Sequence, residues 1–527
     1  MKKTLALFLS IVLLATMFAV PAVAEENDKP FAGVKLTYWA PFDEKGTGAI
    51  ETLNDTRWYD AIYEATGIEI EFIHPAVGNA GTELNMMLPG DLPDIIESNW
   101  TSYNGGPSMA IADKIIITLD DYISDEKTPN LKAILDAQPI IDQSIKTADG
   151  HYYVFPFLRG TQYEGNLTLF TSGWFLRGDI LKELGKEIPE TADEWYDVMT
   201  AVKAAHPDMI PVVTRTEWMN QIFCSGFDSY WDYYVEDGVV KNGIAEPEHF
   251  EYLKAMAKWY AEGLIDPDYL THTSANDGRT IMASGNAFAL YDASSGGSSN
   301  TIPSLLDNGD IQDETDIVTT VPVAKEKGVP AKFAKMNGLY DGSGSSVAIS
   351  TDCKNVEAAV WLLDWMYSEQ GHMINCWGIE GESYEIVDGV PQYMDIIMHN
   401  PDGLSISQAQ AIYVRSSNGA VVQDPQVQVC LATYQAQKDG AEKWTQTSFG
   451  DHMYPAGAAI SEENADDFAN ITNNIKTYRE ESEAKWITGR EELTEEVWQA
   501  YVAQLESYGL SKAIQYKQEA YDAFMAN

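Results

Sequence analysis

Val34-Lys35-Leu36-Thr37-Tyr38-Trp39 alternates apolar and polar side chains, the period of a half-buried strand. The next sixty residues decide the fold. Trp58, Ala61, Ile62 and Ala65 fall on one helical face, and Gly67 stands where a left-handed C-cap belongs. Ile68-Glu69-Ile70-Glu71-Phe72-Ile73 alternates again. A short helix ending near Leu88 then leads through Pro93 to the apolar strand Asp94-Ile95-Ile96-Glu97. Strand–helix–strand–helix–strand predicts right-handed crossovers and a parallel sheet, an α/β fold.

Outward from this unit, helices dominate. Thr191 and Glu194 form a capping box ahead of the stripe Trp195, Val198, Met199 and Val202. Leu253, Met256, Ala257 and Tyr260 make a second stripe, closed by Gly263. Val356, Ala359, Val360, Leu363, Met366 and Tyr367 make a third, and Thr494 caps a late helix bearing Trp498, Tyr501, Val502 and Leu505. Short strands are expected at 151–157, 167–176, 287–291, 317–322 and 346–349. The Ser/Gly-rich stretches 294–300 and 341–346 read as turns or cleft loops. With no long low-complexity linker and no internal repeat, two lobes with several chain crossings are expected.

Composition bounds the function. The 527 residues carry 34 Lys+Arg against 80 Asp+Glu, a formal net charge of −46. Such a surface repels phosphate backbones and anionic headgroups, so neither a nucleic-acid partner nor a membrane surface is expected. The hydrophobic fraction of 45% supports a packed core rather than disorder. Lys2 and Lys3, the apolar run Leu5–Val20, Pro21 and the small-residue box Ala22-Val23-Ala24 have the layout of a secretory signal peptide cleaved near Ala24. The first cysteine is Cys224, so this signal lacks a lipoprotein cysteine. A secreted chain without membrane insertion is the expectation. Four cysteines (224, 353, 376, 430) allow three pairings, among which sequence does not choose.

Phosphate-loop, GxGxxG, HExxH and GxSxG motifs are missing, and the eight histidines are scattered. No cofactor, metal ligand set or catalytic residue is expected. What stands out is aromatic side chains at strand ends and in polar loops. These are Trp39, Asn99-Trp100, Trp218, Tyr291-Asp292, Tyr340-Asp341 and Trp377. Ligands of open α/β sheets bind beyond the carboxyl ends of strands. A flat aromatic face beside an Asp or Asn suits a sugar, which has apolar C–H faces and a hydroxyl rim. Arg159, Arg177 and Trp174 are weaker candidates; Arg177 could instead pair with Asp179.

Several stretches resemble the extracellular solute-binding proteins of ABC importers (family 1), in the large oligosaccharide-binding, lipoprotein-like branch. They are Gly90-Asp-Leu-Pro-Asp-Ile-Ile96, Asp149-Gly-His-Tyr-Tyr-Val-Phe-Pro156, Trp174-Phe-Leu-Arg-Gly-Asp-Ile-Leu181, Tyr260-Ala-Glu-Gly-Leu-Ile-Asp-Pro267, Ser368-Glu-Gln-Gly371, Gly378-Ile-Glu-Gly381 and Trp486-Ile-Thr-Gly489. The likeness runs in order from about Val34 to the end. It implies a two-lobe, type II periplasmic-binding-protein-like fold that closes on an oligosaccharide and docks, as a monomer, on the permease subunits of a transporter. The expected division is 31–158 plus 287–345 for one lobe and 159–286 plus 346–527 for the other, with C-terminal helices able to pack across both. A secreted glycoside hydrolase, or a receptor for peptides or cations, is the alternative.

Overall fold

The computed structural model describes residues 29–526 apart from 43–45, 47, 164–165, 341 and 343–344. The signal-peptide reading and Asp341 lie outside the described residues. Fourteen strands are assigned among the described residues. In chain order they are β1 (Lys35–Trp39), β2 (Glu69–Ile73), β3 (Ile95–Ser98), β4 (Phe157–Leu158), β5 (Ser172–Arg177), β6 (Ile210–Val213) and β7 (Tyr233–Glu236), then β8 (Val239–Asn242), β9 (Ala287–Ala293), β10 (Ile317–Val318), β11 (Ser346–Ile349), β12 (Tyr384–Val387), β13 (Val390–Tyr393) and β14 (Val421–Val422).

Two four-stranded sheets organise them. The first has the order β11-β3-β1-β2, with β1 parallel to β2 and β3, as the opening sequence predicts. The register pairs Trp39 with both Ile73 and Ile96, which aligns the carboxyl ends of all three strands. Strand β11 joins antiparallel, Ser346 opposite Ser98. The second sheet has the order β10-β5-β9-β6, with β6 parallel to β9 and β5 antiparallel to it. Each sheet has its own buried cluster: Leu36, Ile62, Ile95, Ile96 and Phe155 in the first, Trp174, Trp195, Met199, Leu253 and Phe288 in the second. Two cores in one chain make two lobes.

Strand pairing corrects the expected division. Strand β9 belongs to the second sheet and β11 to the first, the reverse of the lobes expected for 287–345 and 346–527. The chain returns to the first lobe after β10, through the segment ending at Tyr340, which enters the first core. A second correction falls on 294–300, which is not a loop. Ser294–Asn308 is one helix, and it buries Ile302 and Leu305 in a satellite core with Phe175 and Leu290. Tertiary burial outweighs the poor helix propensity of Ser and Gly. Gly297 serves close packing, since a Cβ there would come within 2.8 Å of the Asp292 side chain. The expected strands at 151–157 and 317–322 shrink to β4 and β10, joined by isolated bridges at Tyr152 and Phe155.

Local signals elsewhere act as the sequence predicts. Thr191 and Glu194 form the capping box of Ala192–Ala205, a motif that contributes about 1 kcal/mol. Gly67 ends Arg57–Thr66 at φ 70°.

Three segments join the lobes. In one, Arg159 N–H donates to Leu339 O at 2.9 Å, which lays the first and second crossings side by side. In the third, β14 pairs in parallel with β4, and Gln423 N–H donates to Leu158 O at 2.7 Å. Beyond it, the helix Glu462–Ile487 packs along Pro247–Ala261 of the second lobe and also touches Gly106–Ala112 of the first. Among the described residues, no helix is long and apolar enough to cross a membrane. All four cysteines are free thiols, three of them buried.

Candidate functional site

Small crevices lie at the ends of each sheet, and a larger cavity lies between the lobes. In the first lobe, β1 runs into Pro41 and Phe42, which with Arg415–Asn418 line a crevice of about 90 Å³. Asn99 follows β3 and accepts a hydrogen bond from the Thr101 hydroxyl at 2.7 Å. Trp100 is buried in the first core, and among the described residues its indole N–H meets no acceptor. A buried donor without a partner is costly.

In the second lobe, β6 ends at Val213, and Thr216–Ile222 is a helix that begins three residues later. Trp218 on that helix is the most elaborated residue of the lobe. The Arg215 guanidinium carbon lies 3.6 Å and the Lys335 ammonium 3.5 Å from its ring centroid. Both distances are within cation–π range. Tyr291 at the end of β9 meets Trp218 edge-on, 5.6 Å between centroids, and Trp174 at 5.3 Å.

Three depressions run together along this lobe. A narrow one of about 20 Å³ lies at the sheet's end, between Ser172, Gln221, Tyr291, Thr320 and Lys335. A larger one of about 710 Å³ shares Gln221 with it and extends past Trp231, Tyr233, Tyr269, Asn473 and Arg479. A third, of about 430 Å³, shares Asp232 and Tyr233 with the second and lies between the lobes. Its first-lobe wall is Ile140, Ser144, Leu339 and Tyr340; its second-lobe wall is Tyr230, Phe449, Met453, Tyr454 and Lys517.

The sequence-predicted residues divide. Tyr340 borders the interlobe cavity, and its hydroxyl shares a 2.8 Å hydrogen bond with that of Tyr153. Asn99 follows β3 directly and Tyr291 lies near the end of β9, whereas Trp218 is on the helix after β6; Trp218 and Tyr291 are both buried in the second core. Trp39 is at the end of β1, but its side chain is buried in the first core. Asp292 is 1% exposed, and its carboxylate is taken by Arg279. Trp377 is wholly buried in a separate cluster with Tyr384, Tyr393 and Ile397, and donates its indole N–H to Asp424 at 2.8 Å. Neither side chain presents a face or an oxygen to the cavities. Arg177 is a strut: it grips Asp179 through two bonds of 2.8 and 2.7 Å and donates to Asp310 O. Trp174 is core, its ring tilted at 44° against that of Trp195 with centroids 4.5 Å apart. Arg159 lies over the Phe157 ring at 5.3 Å.

Sequence reasoning missed Tyr163, Tyr230, Asp232, Tyr233 and Lys517. The run Tyr230-Trp-Asp-Tyr-Tyr234, four aromatics around one acid, was the available signal.

The model of the bacterial extracellular solute-binding protein family matches residues 24–373, well over half of the chain. The chain belongs to that family. Among curated members, the fructooligosaccharide ABC transporter substrate-binding protein FusA of Streptococcus pneumoniae serotype 4 is 25% identical over 98% of both chains. Lipoprotein LipO of Bacillus subtilis is 27% identical over 41% of this chain and 44% of its own. Among solved structures, FusA in complex with kestose superposes with a TM-score of 0.73 at 20% identity, covering 94% of this chain and all of that one. The alginate-binding protein AlgQ2 without calcium ion gives 0.73 at 21% identity, over 93% and 98% of the two chains. The two-lobe solute-binding fold is therefore shared along nearly the whole length. Family members and structural neighbours of this kind are binding proteins.

Proposed function

We propose that this chain is the extracytoplasmic substrate-binding component of an ABC importer, and that it captures an oligosaccharide between its lobes and delivers it to the permease. The observation that carries the reading is the interlobe cavity. Its walls bring Tyr163, Tyr230, Tyr233, Tyr340 and Tyr454 together from both lobes and the crossing segments. Each phenol pairs an apolar face with a polar tip, the combination a sugar ring requires. The volume lies within the range of small-ligand sites, about 300–1,000 Å³, and the adjoining depression gives a chain of sugars room to extend. FusA, similar over 98% of both chains, is a fructooligosaccharide receptor, which supports a carbohydrate here.

A ligand touching both lobes favours the closed arrangement by its extra contacts, so closure is a population shift about the three crossings. The protein acts as a non-catalytic monomer, released by cleavage near Ala24. A melting-temperature screen over oligosaccharides, with a parallel assay for new reducing ends, tests this. A bound sugar at a hundredfold excess over Kd stabilises by about 2.7 kcal/mol. A thermal shift without turnover is expected; release of reducing ends would make the protein a hydrolase.

A further inference from the structure

Lys517 is a cation with an unusual setting. It projects from the C-terminal helix Leu510–Ala526 into the interlobe cavity. Among the described residues lining that cavity it is the one cation, and Asp232 is the one anion. Its ammonium lies 4.2 Å from the Tyr454 ring centroid, 5.5 Å from that of Phe468 and 5.6 Å from that of Tyr233. These rings hold the amine in place. Among the described residues it forms no ion pair, and Asp232, the anion of the same lining, acts on it through its charge, favouring the ammonium against burial. Asp232 spends one oxygen on the backbone N–H of Tyr233, at 2.8 Å.

An ammonium carries three donors and no acceptor. A partly buried one that is not engaged in an ion pair is held at a cost, which a ligand acceptor would offset. Burial lowers its pKa to about 8, so it remains mostly charged at neutral pH. A chain with a net charge of −46 repels an anionic ligand. That repulsion is screened beyond about 8 Å at physiological salt, so a local cation decides whether an anion is held once it has entered.

We propose that the interlobe cavity is a subsite for an acidic sugar residue, in which Lys517 takes the carboxylate of a uronate while the surrounding tyrosines pack on its ring. The inference rests on the carbohydrate reading and narrows it to acidic oligosaccharides.

The test is a calorimetric titration of the full mature chain with trigalacturonate and with uncharged maltotriose, using wild type, Lys517→Met and Lys517→Arg. Met fills the aromatic slot and removes the cost of burying a charge there, so the variant is expected to melt no lower than wild type. Wild type is expected to bind trigalacturonate, Lys517→Met to lose about tenfold or more of that affinity, and Lys517→Arg to retain most of it. Binding of maltotriose but not trigalacturonate by wild type, or equal trigalacturonate affinity in Lys517→Met, would overturn the subsite and leave the carbohydrate reading standing. Failure of wild type to bind any oligosaccharide would bring down both.

Discussion

Arg415 and Glu97 are joined at the strand ends of the first lobe: one guanidinium nitrogen lies 2.8 and 2.9 Å from the two carboxylate oxygens. Glu97 is wholly buried, and the Tyr38 hydroxyl donates to it at 3.1 Å. Burial raises the carboxyl's pKa while Arg415 draws it down. Arg415→Met leaves that charge buried and uncompensated, and should cost about 3 kcal/mol or more. Removing the arginine raises the folded-state pKa of Glu97 further. Protonation then relieves the penalty, so the deficit should be smaller near about pH 5 than near about pH 7. Denaturant titrations of wild type and variant at both pH values check the sign.

Trp377 is fully buried, with its indole N–H bound to Asp424. Trp377→Ala is expected to lose about 3–5 kcal/mol through the cavity it leaves. Its melting temperature without ligand should fall well below wild type. An unchanged melting curve would mean that the side chain is not part of this core.

Tyr163 gives the complementary case. It borders the interlobe cavity yet is 43% exposed. Tyr163→Ala should leave the ligand-free melting temperature near wild type and weaken oligosaccharide binding about three- to tenfold, the worth of one aromatic packing contact. Titration calorimetry beside a melting curve separates the two effects.

Glu236 ties the β7–β8 hairpin to the second crossing, receiving Lys241 and Lys332 at 2.5 Å each. The two lysines hold its pKa down to about 2. A depressed folded-state pKa stabilises at pH values above the unfolded value, and that stability is lost as pH falls through the folded one. Wild type should therefore lose stability between about pH 4.5 and about pH 2, and Glu236→Gln should show a shallower slope there. Equal slopes in acid urea titrations would contradict this.

The first sheet was legible because its strands alternate and its helices carry caps, so local chemistry and global packing agree at Val34–Trp39 and Gly67. Lobe membership was not. Strands β9 and β11 are short apolar runs whose pairing is chosen by distant partners, Phe175 opposite Leu290 and Ile96 opposite Ala348, and neither run contains that choice. The helix Ser294–Asn308 was hidden for a related reason: its stability comes from burying Ile302 and Leu305, not from its seryl and glycyl start. At the candidate site, of the aromatics singled out by strand-end position, Tyr340 borders the interlobe cavity, whereas Trp218 is buried in the second core. Strand-end position could not distinguish an aromatic that faces a cavity from Trp377, whose ring is enclosed by residues from remote positions. Lys517 left no local signal, because only the fold of the C-terminal helices brings it to the cavity.

Capture of an oligosaccharide between the lobes is tested most directly by titration calorimetry of the mature protein against a panel of neutral and acidic oligosaccharides. Saturable one-to-one binding to at least one of them is expected, with the sugar recovered intact; absence of binding across the whole panel, or recovery of cleaved sugar, would contradict it.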